Sequence, residues 1–302
     1  MQRRMLDAPI ALVRLYLRSM IPYLHLWNFN LPTFGLMLWL AAVAGAFIMD
    51  RSFHRARVTA DALSMVAVTV IVGIVGAKLW HVIDTPIEFR ELGWQVLWSR
   101  DGYAWFGGLL FGIGALLFQG WWAKIGMLRT LDLAAPAAVV GQGIGRIGCF
   151  LSGDGCYGIP IHPFHLFSFT FRPWGISFPN GIEPILIPVY PTPLYEFAAY
   201  LLIGGWLWWR LGIPAARSSS VGRWLGNSKS SGAIVGQYLL LSGIARFLVE
   251  FIRRNPKVLW GLSNAQLASA GCVVAGVALI LWAATRPAAS PDKAAQAQEK
   301  AA

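Results

Sequence analysis

The segment Leu131-Asp-Leu-Ala-Ala-Pro-Ala-Ala-Val-Val-Gly-Gln-Gly-Ile-Gly-Arg-Ile-Gly-Cys-Phe-Leu151 decides the fold. It has the roughly 20 residues that an α-helix needs to cross hydrocarbon, yet it carries Arg146 in its later part. An uncompensated charge at membrane depth costs at least about 2.5–3.5 kcal/mol on insertion scales, so a permanent cation there demands an anionic partner and marks a functional site. Helical spacing puts Gln142 and Arg146, four residues apart, on one face. Gly141 and Gly145 form a small-xxx-small pair that lets a neighbouring helix or a ligand approach the backbone closely. Glycines alone would be read as helix packing; with Arg146 beside them, a ligand site is the better reading.

Outward from this segment, stretches of similar apolarity lie at about 33–49, 62–83, 104–122, 194–211, 233–252 and 264–285. The 302 residues are 56% hydrophobic and only 13% charged, with 15 Trp and 32 Gly, which excludes an ordinary soluble domain. The expectation is an all-α polytopic membrane protein with about seven transmembrane helices over residues 31–285. The candidate cleavable N-terminal core is interrupted by Arg14 and Arg18, so the first span is expected to remain as an anchor.

A net charge of +11 could suggest nucleic acid, but the cations are scattered over short loops without any nucleic-acid-binding signature. Topology accounts for them better. With residue 1 outside, Arg51, Arg55, Arg57, Lys124, Arg129, Arg210, Arg217, Arg223, Lys229, Arg286, Lys293 and Lys300 face the cytoplasm; Arg90, Arg100, Arg172, Arg253, Arg254 and Lys257 face outward. This asymmetry predicts N-out, C-in by the positive-inside rule. Arg3, Arg4, Arg14 and Arg18 then lie outside. Residues 8–28, within an N-terminal amphipathic segment 1–30, are read as a surface helix with Tyr23 and Trp27 at headgroup level.

Residues 152–193, rich in Pro, Gly and aromatics, are too apolar for a disordered tail and predict a small irregular extracytoplasmic head between spans four and five. Arg217–Gly232 reads as a flexible cytoplasmic loop, and 286–302 as a disordered cytoplasmic tail. Cys149, Cys156 and Cys272 form neither a zinc pattern nor a disulfide framework. A Cys149–Cys156 bridge is compatible with the outer face, although buried small apolar roles suit these residues better.

The sixth span ends in Ala245-Arg-Phe-Leu-Val-Glu-Phe-Ile-Arg-Arg254, where Arg246 and Glu250 stand one turn apart and can pair. Two guanidinium groups, Arg146 and Arg246, at similar depth suit a phosphate that accepts bidentate hydrogen bonds. Asp154 sits in a tight turn whose backbone its carboxylate can bond. Glu196, following Tyr195 at a helix start, complements the helix dipole, so its substitution by Gln is expected to be milder than loss of either arginine. His81, Asn264 and Gln266 read as interfacial polar residues.

Gly145-Arg-Ile-Gly-Cys-Phe-Leu-Ser-Gly-Asp-Gly-Cys-Tyr-Gly158 resembles the signature of the prolipoprotein diacylglyceryl transferases. The resemblance extends to Asp132-Leu-Ala-Ala-Pro136, Pro191-Thr-Pro-Leu-Tyr-Glu196, Ala245–Arg253 and Leu262-Ser-Asn-Ala-Gln-Leu-Ala-Ser269, in order over roughly residues 30–285. It implies a seven-span enzyme of the bacterial cytoplasmic (inner) membrane. The implied reaction moves the diacylglyceryl group of phosphatidylglycerol to the lipobox cysteine thiol of a prolipoprotein and releases glycerol phosphate. No cofactor or metal is implied. The partners implied are phosphatidylglycerol, prolipoprotein signal peptides bearing a lipobox cysteine, and the lipid bilayer, with no nucleic acid. Arg146, Arg246 and Asp154 match catalytic positions; Asp154 stands where many members have Glu. Gln142, Gly145, Cys149, Gly158, Tyr195, Glu196 and Glu250 match the substrate-binding region, with Cys149 where many members have Asn and Glu250 orienting Arg246.

Three departures accompany the match. Phe106-Gly107-Gly108 stands where members commonly have His-Gly-Gly, Phe34 replaces a Tyr, and Lys78 replaces a second-span Arg. Phe neither accepts a proton nor donates a hydrogen bond, although a free thiol near pH 7 is already a few per cent thiolate. A second reading follows: an altered relative that binds an anionic phospholipid or lipoprotein without transferring it. A transporter for a small anion would also explain paired arginines but not the apolar head.

Overall fold

The computed structural model describes residues 21–27, 29–99, 102–161, 164–166, 169–171, 174–212 and 231–285. The chain opens with a hairpin of β1 (Tyr23–Leu26) and β2 (Phe29–Pro32), paired antiparallel with Tyr23 opposite Pro32. This corrects the surface-helix expectation for its last residues. Tyr23-Leu-His-Leu and Phe29-Asn-Leu-Pro alternate with the period of a strand, Trp27 takes the positive φ of 50°, and His25 Nδ1 lies 2.6 Å from Asn30 Oδ1. Residues 8–20 of that expected helix, most of the Arg217–Gly232 loop and the 286–302 tail lie outside the described residues.

Among the described residues the α-helices are α1 (Thr33–Ala56), α2 (Ala62–Asp84), α3 (Pro86–Leu92), α4 (Trp105–Trp122), α5 (Met127–Ser152), α6 (Thr192–Gly212), α7 (Ala233–Val249) and α8 (Asn264–Ala284). Six of them, α1, α2, α4, α5, α7 with its following turn, and α8, are long and apolar enough to cross a membrane. The 21-residue α6 is the seventh expected span; Glu196, Arg210, Tyr195, Tyr200 and the three tryptophans Trp206, Trp208 and Trp209 dilute its apolar character. Many large apolar side chains face outward, among them Ile71, Ile74 and Val75 on α2 and Phe118 and Trp121 on α4. That is the pattern of helices solvated by lipid.

The chain forms two compact units. One comprises residues 1–41, 138–206 and 238–277. There α5 and α6 approach through small residues: Gly143 faces Tyr200 and Phe197, and Gly204 faces Val139 and Val140. Four short strands follow α5, β3 (Phe164–Leu166), β4 (Phe169–Phe171), β5 (Ile176–Phe178) and β6 (Ile185–Val189), paired as two antiparallel hairpins. Phe178, fully buried, stacks on Tyr157 at 4.9 Å and meets the edge of Phe150 at 5.8 Å. After α7 comes a one-turn 3-10 helix, Glu250–Ile252, and a small hairpin of β7 (Lys257–Leu259) and β8 (Leu262–Ser263).

The other unit comprises residues 42–137, 207–237 and 278–302. Met49, Phe53, Met65 and Leu133 form its buried core. Here α2 and α4 pack almost backbone to backbone: a side chain at Gly76 would collide with Phe111, and one at Gly107 with Gly76 and Trp80. Asp132 is fully buried, and its carboxylate accepts from Gly232 N at 2.7 Å and Val235 N at 2.8 Å. A helix leaves its first N–H groups without partners, and here a carboxylate from α5 caps α7.

Candidate active site

Within the first unit, Arg146, Glu196, Arg246, Glu250 and Arg253 form one continuous charged network. Arg146 Nε forms an ion pair with Glu196 Oε2 at 3.0 Å. The other oxygen of Glu196 lies 3.3 Å from Arg246 Nη1, and Oε2 also meets Arg253 Nη1 at 3.4 Å. Arg246 Nη1 continues to Glu250 Oε2 at 2.7 Å, which Arg253 Nε approaches at 3.8 Å. Both carboxylates are fully buried. Three guanidinium groups against two carboxylates leave one positive charge in excess. The pairing meets the demand that buried charge be compensated, and the excess cation keeps the site attractive to an anion.

The arginines differ in access. Arg146 retains 25% and Arg246 18% of side-chain exposure, whereas Arg253 retains 7%. The first two can therefore touch a ligand; Arg253 is enclosed between the two glutamates. No described atom lies within 4 Å of a Cβ placed on Gly145, next to Arg146. That glycine faces open space, not a packed helix. By contrast Gly148, one turn on, lies against Phe34 and Met37.

Glu196 is not the dipole partner expected from its position near a helix start. It lies a full turn into α6 and joins Arg146, Arg246 and Arg253, so the reason to expect a mild substitution disappears. Tyr200, one turn further, lies within electrostatic reach of Arg146. Glu250 is held from its other side: Oε1 accepts from Ser263 Oγ and from Asn255 Nδ2, each at 2.6 Å. Ser263 also begins α8, accepting from Gln266 N at 3.2 Å while Gln266 Oε1 accepts from Ser263 N at 3.0 Å. This reciprocal capping box ties the helix start to the charged network. Gln266 is fully buried, not interfacial as its sequence position suggested.

The turn after α5 carries Gly153 and Gly155 at φ of 59° and 79°, a conformation that glycine adopts without steric cost. Asp154 Oδ1 accepts from Cys156 N at 3.2 Å, the backbone role its turn predicted. The sulfur atoms of Cys149 and Cys156 lie within 4.8 Å of each other, and the neighbouring Cys149 holds the Cys156 thiol below its ordinary value, although burial pulls the other way. Gly158 allows Ile252 to approach: a Cβ there would lie 2.5 Å from the Ile252 carbonyl oxygen, and Gly158 pairs with Arg253 in an isolated bridge. Thr192 Oγ1, at the start of α6, donates to Cys156 O at 2.7 Å. The signature turn thus fastens the backbones that carry Glu196 and Arg253.

A family model described as prolipoprotein diacylglyceryl transferase matches residues 22–282. The chain belongs to this family. It is similar to the phosphatidylglycerol–prolipoprotein diacylglyceryl transferase of Pseudomonas paraeruginosa, 31% identical over 281 residues that cover 86% of this chain and 92% of that one. The protein of the same name from Clostridium tetani is 27% identical over 263 residues, covering 84% and 93%. That of Leptospira interrogans is 27% identical over 254 residues, covering 75% and 72%.

The remaining residues that the family resemblance singled out fall in different surroundings. Gln142 is exposed on α5 and Tyr195 is half-buried. In the second unit, Phe106 is 64% exposed and meets the edge of Trp105 at 5.3 Å, while Gly107 and Gly108 face α2. Lys78 is buried, donates to Ser99 O at 2.7 Å and Ser99 Oγ at 3.0 Å, and lies over the Tyr103 ring. Arg253, Tyr200, Asn255 and Ser263 were not singled out by sequence. Arg253 had been counted as an outer-loop cation, although its spacing of three from Glu250 and seven from Arg246 already put all three on one helical face.

Proposed function

We propose that this chain transfers the diacylglyceryl group of phosphatidylglycerol to the lipobox cysteine of a prolipoprotein, at the bacterial inner membrane. The Arg146–Glu196–Arg246 arrangement carries the reading, because it presents two partly exposed guanidinium groups to one anion and holds both in place. Arg146 and Arg246 bind the lipid phosphate; Gly145 leaves the backbone open beside them. The acceptor thiol gives up its proton to solvent, and its sulfur forms a bond to the terminal glyceryl carbon as the carbon–oxygen bond to phosphate breaks. Glycerol phosphate leaves with the bonding electron pair, and the two cations stabilise the charge it gathers.

Glu196, Glu250 and Arg253 act as positioning residues, since a guanidinium locked by ion pairs spends no reorganisation when charge develops. Asp154 holds the turn between Arg146 and Gly158. The N-terminus lies outside and the C-terminus in the cytoplasm, which puts the head of residues 152–193 on the outer face. Incubation of the purified chain with phosphatidylglycerol and a lipobox peptide tests the reading. A thioether-linked diacylglyceryl peptide, detected by mass, is the expected product. Its absence across several detergents and pH values would refute transfer and favour the lipid-binding alternative.

A further inference from the structure

Cys149 in the last turn of α5, Asp154 in the glycine turn and Cys156 just beyond it place two sulfur atoms and a carboxylate oxygen within 4.8 Å of one another. Cys149 is buried and the other two are half-buried. A seven-residue separation along a continuous helix would give two thiols on one face but over 10 Å apart at about 1.5 Å per residue. The reversal at Gly153 and Gly155 folds Cys156 back instead. Two sulfurs at about 2.3 Å and one oxygen at about 2.0–2.2 Å from a common centre make the donor set of a zinc-class ion, and three protein ligands leave a fourth position open.

We propose that Cys149, Asp154 and Cys156 bind a thiophilic divalent cation of the zinc class, and that its fourth position takes the sulfur of the acceptor cysteine. The proposal rests on the transferase reading above. The chemistry that favours it is local. Transfer needs a thiolate, and a thiol bound to such an ion is deprotonated outright. Arg146 lies within electrostatic reach of both thiols, and Arg253 of Cys156; their charge offsets the anionic donor set. On binding, two metal–sulfur bonds form and both thiol protons pass to solvent. The incoming acceptor loses a third proton in the same way. Its sulfur then forms the carbon–sulfur bond, glycerol phosphate departs with the electron pair, and the thioether, a poorer ligand, leaves the ion.

The test uses the full chain in detergent, stripped by chelator, kept reduced and titrated with Cd2+ as a spectroscopic probe. A cadmium–thiolate charge-transfer band should saturate at one equivalent per chain, with Zn2+ displacing it. Cys272→Ser should leave the titration unchanged, Asp154→Asn should weaken it at least tenfold, and the double substitution C149S/C156S should abolish it. Bound Zn2+ should also shield Cys149 and Cys156 of the unaltered chain from alkylation, read peptide by peptide, which needs no variant to fold. No band, or alkylation unaffected by Zn2+, overturns the site. In the transfer assay, chelator should suppress the thioether product at least tenfold and Zn2+ restore it. Transfer indifferent to chelator overturns delivery of the acceptor sulfur while leaving the transferase reading intact; metal binding without any transfer overturns the transferase reading and leaves the site.

Discussion

Glu196 is the residue on which the charged network turns. It is fully buried and meets three guanidinium groups, so removing its charge leaves Arg146, Arg246 and Arg253 facing one another. Breaking a buried ion pair from one side typically costs about 3–5 kcal/mol. Glu196→Gln should therefore lower the melting temperature and reduce transfer as severely as loss of an arginine; unchanged stability and activity would show that the guanidiniums are neutralised elsewhere. Sequence spacing made the Arg246–Glu250 pair legible because both lie on one helix. It could not join Glu196 to Arg146, fifty positions apart, since that contact depends on Gly143 and Gly204 bringing α5 and α6 together. The same limit hid Ser263, whose hydroxyl reaches Glu250 only once the chain has turned through β7 and β8.

At the scale of elements, apolar runs locate each long helix among the described residues, because hydrocarbon sets a minimum length that irregular backbone does not meet. The ends were less legible. Residues 23–26 pair with 29–32 in a hairpin where the expected surface helix runs on to residue 28, and α1 runs to Ala56, well past the apolar stretch ending at about residue 49. The start of α7 depends on a residue a hundred positions earlier: Asp132 accepts from Gly232 N and Val235 N. Its replacement by Ala leaves two buried N–H groups without partners, each costing about 1–3 kcal/mol. Thermal unfolding in detergent should show Asp132→Ala destabilised by several degrees, with Asp132→Asn intermediate because its amide oxygen still accepts one bond. A wild-type melting curve for Asp132→Ala would mean that α7 is capped by other groups.

For the whole molecule, the surface apolarity of the helices and the family membership agree on a multi-pass membrane transferase. The proposed orientation, N-terminus outside and C-terminus in the cytoplasm, rests on charge asymmetry. A reporter active only outside the cytoplasm should be active when fused within residues 152–193 and silent after residue 285; the reverse would invert the topology. Arg146 and Arg246 are proposed to grip one phosphate as a unit. Groups that act as a unit are strongly non-additive, so a double-mutant cycle reads the claim directly in the kcat/KM for phosphatidylglycerol. Arg146→Ala and Arg246→Ala should each lower it by about 100-fold or more, and the double variant should fall little further. Losses that multiply across the cycle would contradict the account, because each arginine would then be serving a separate group.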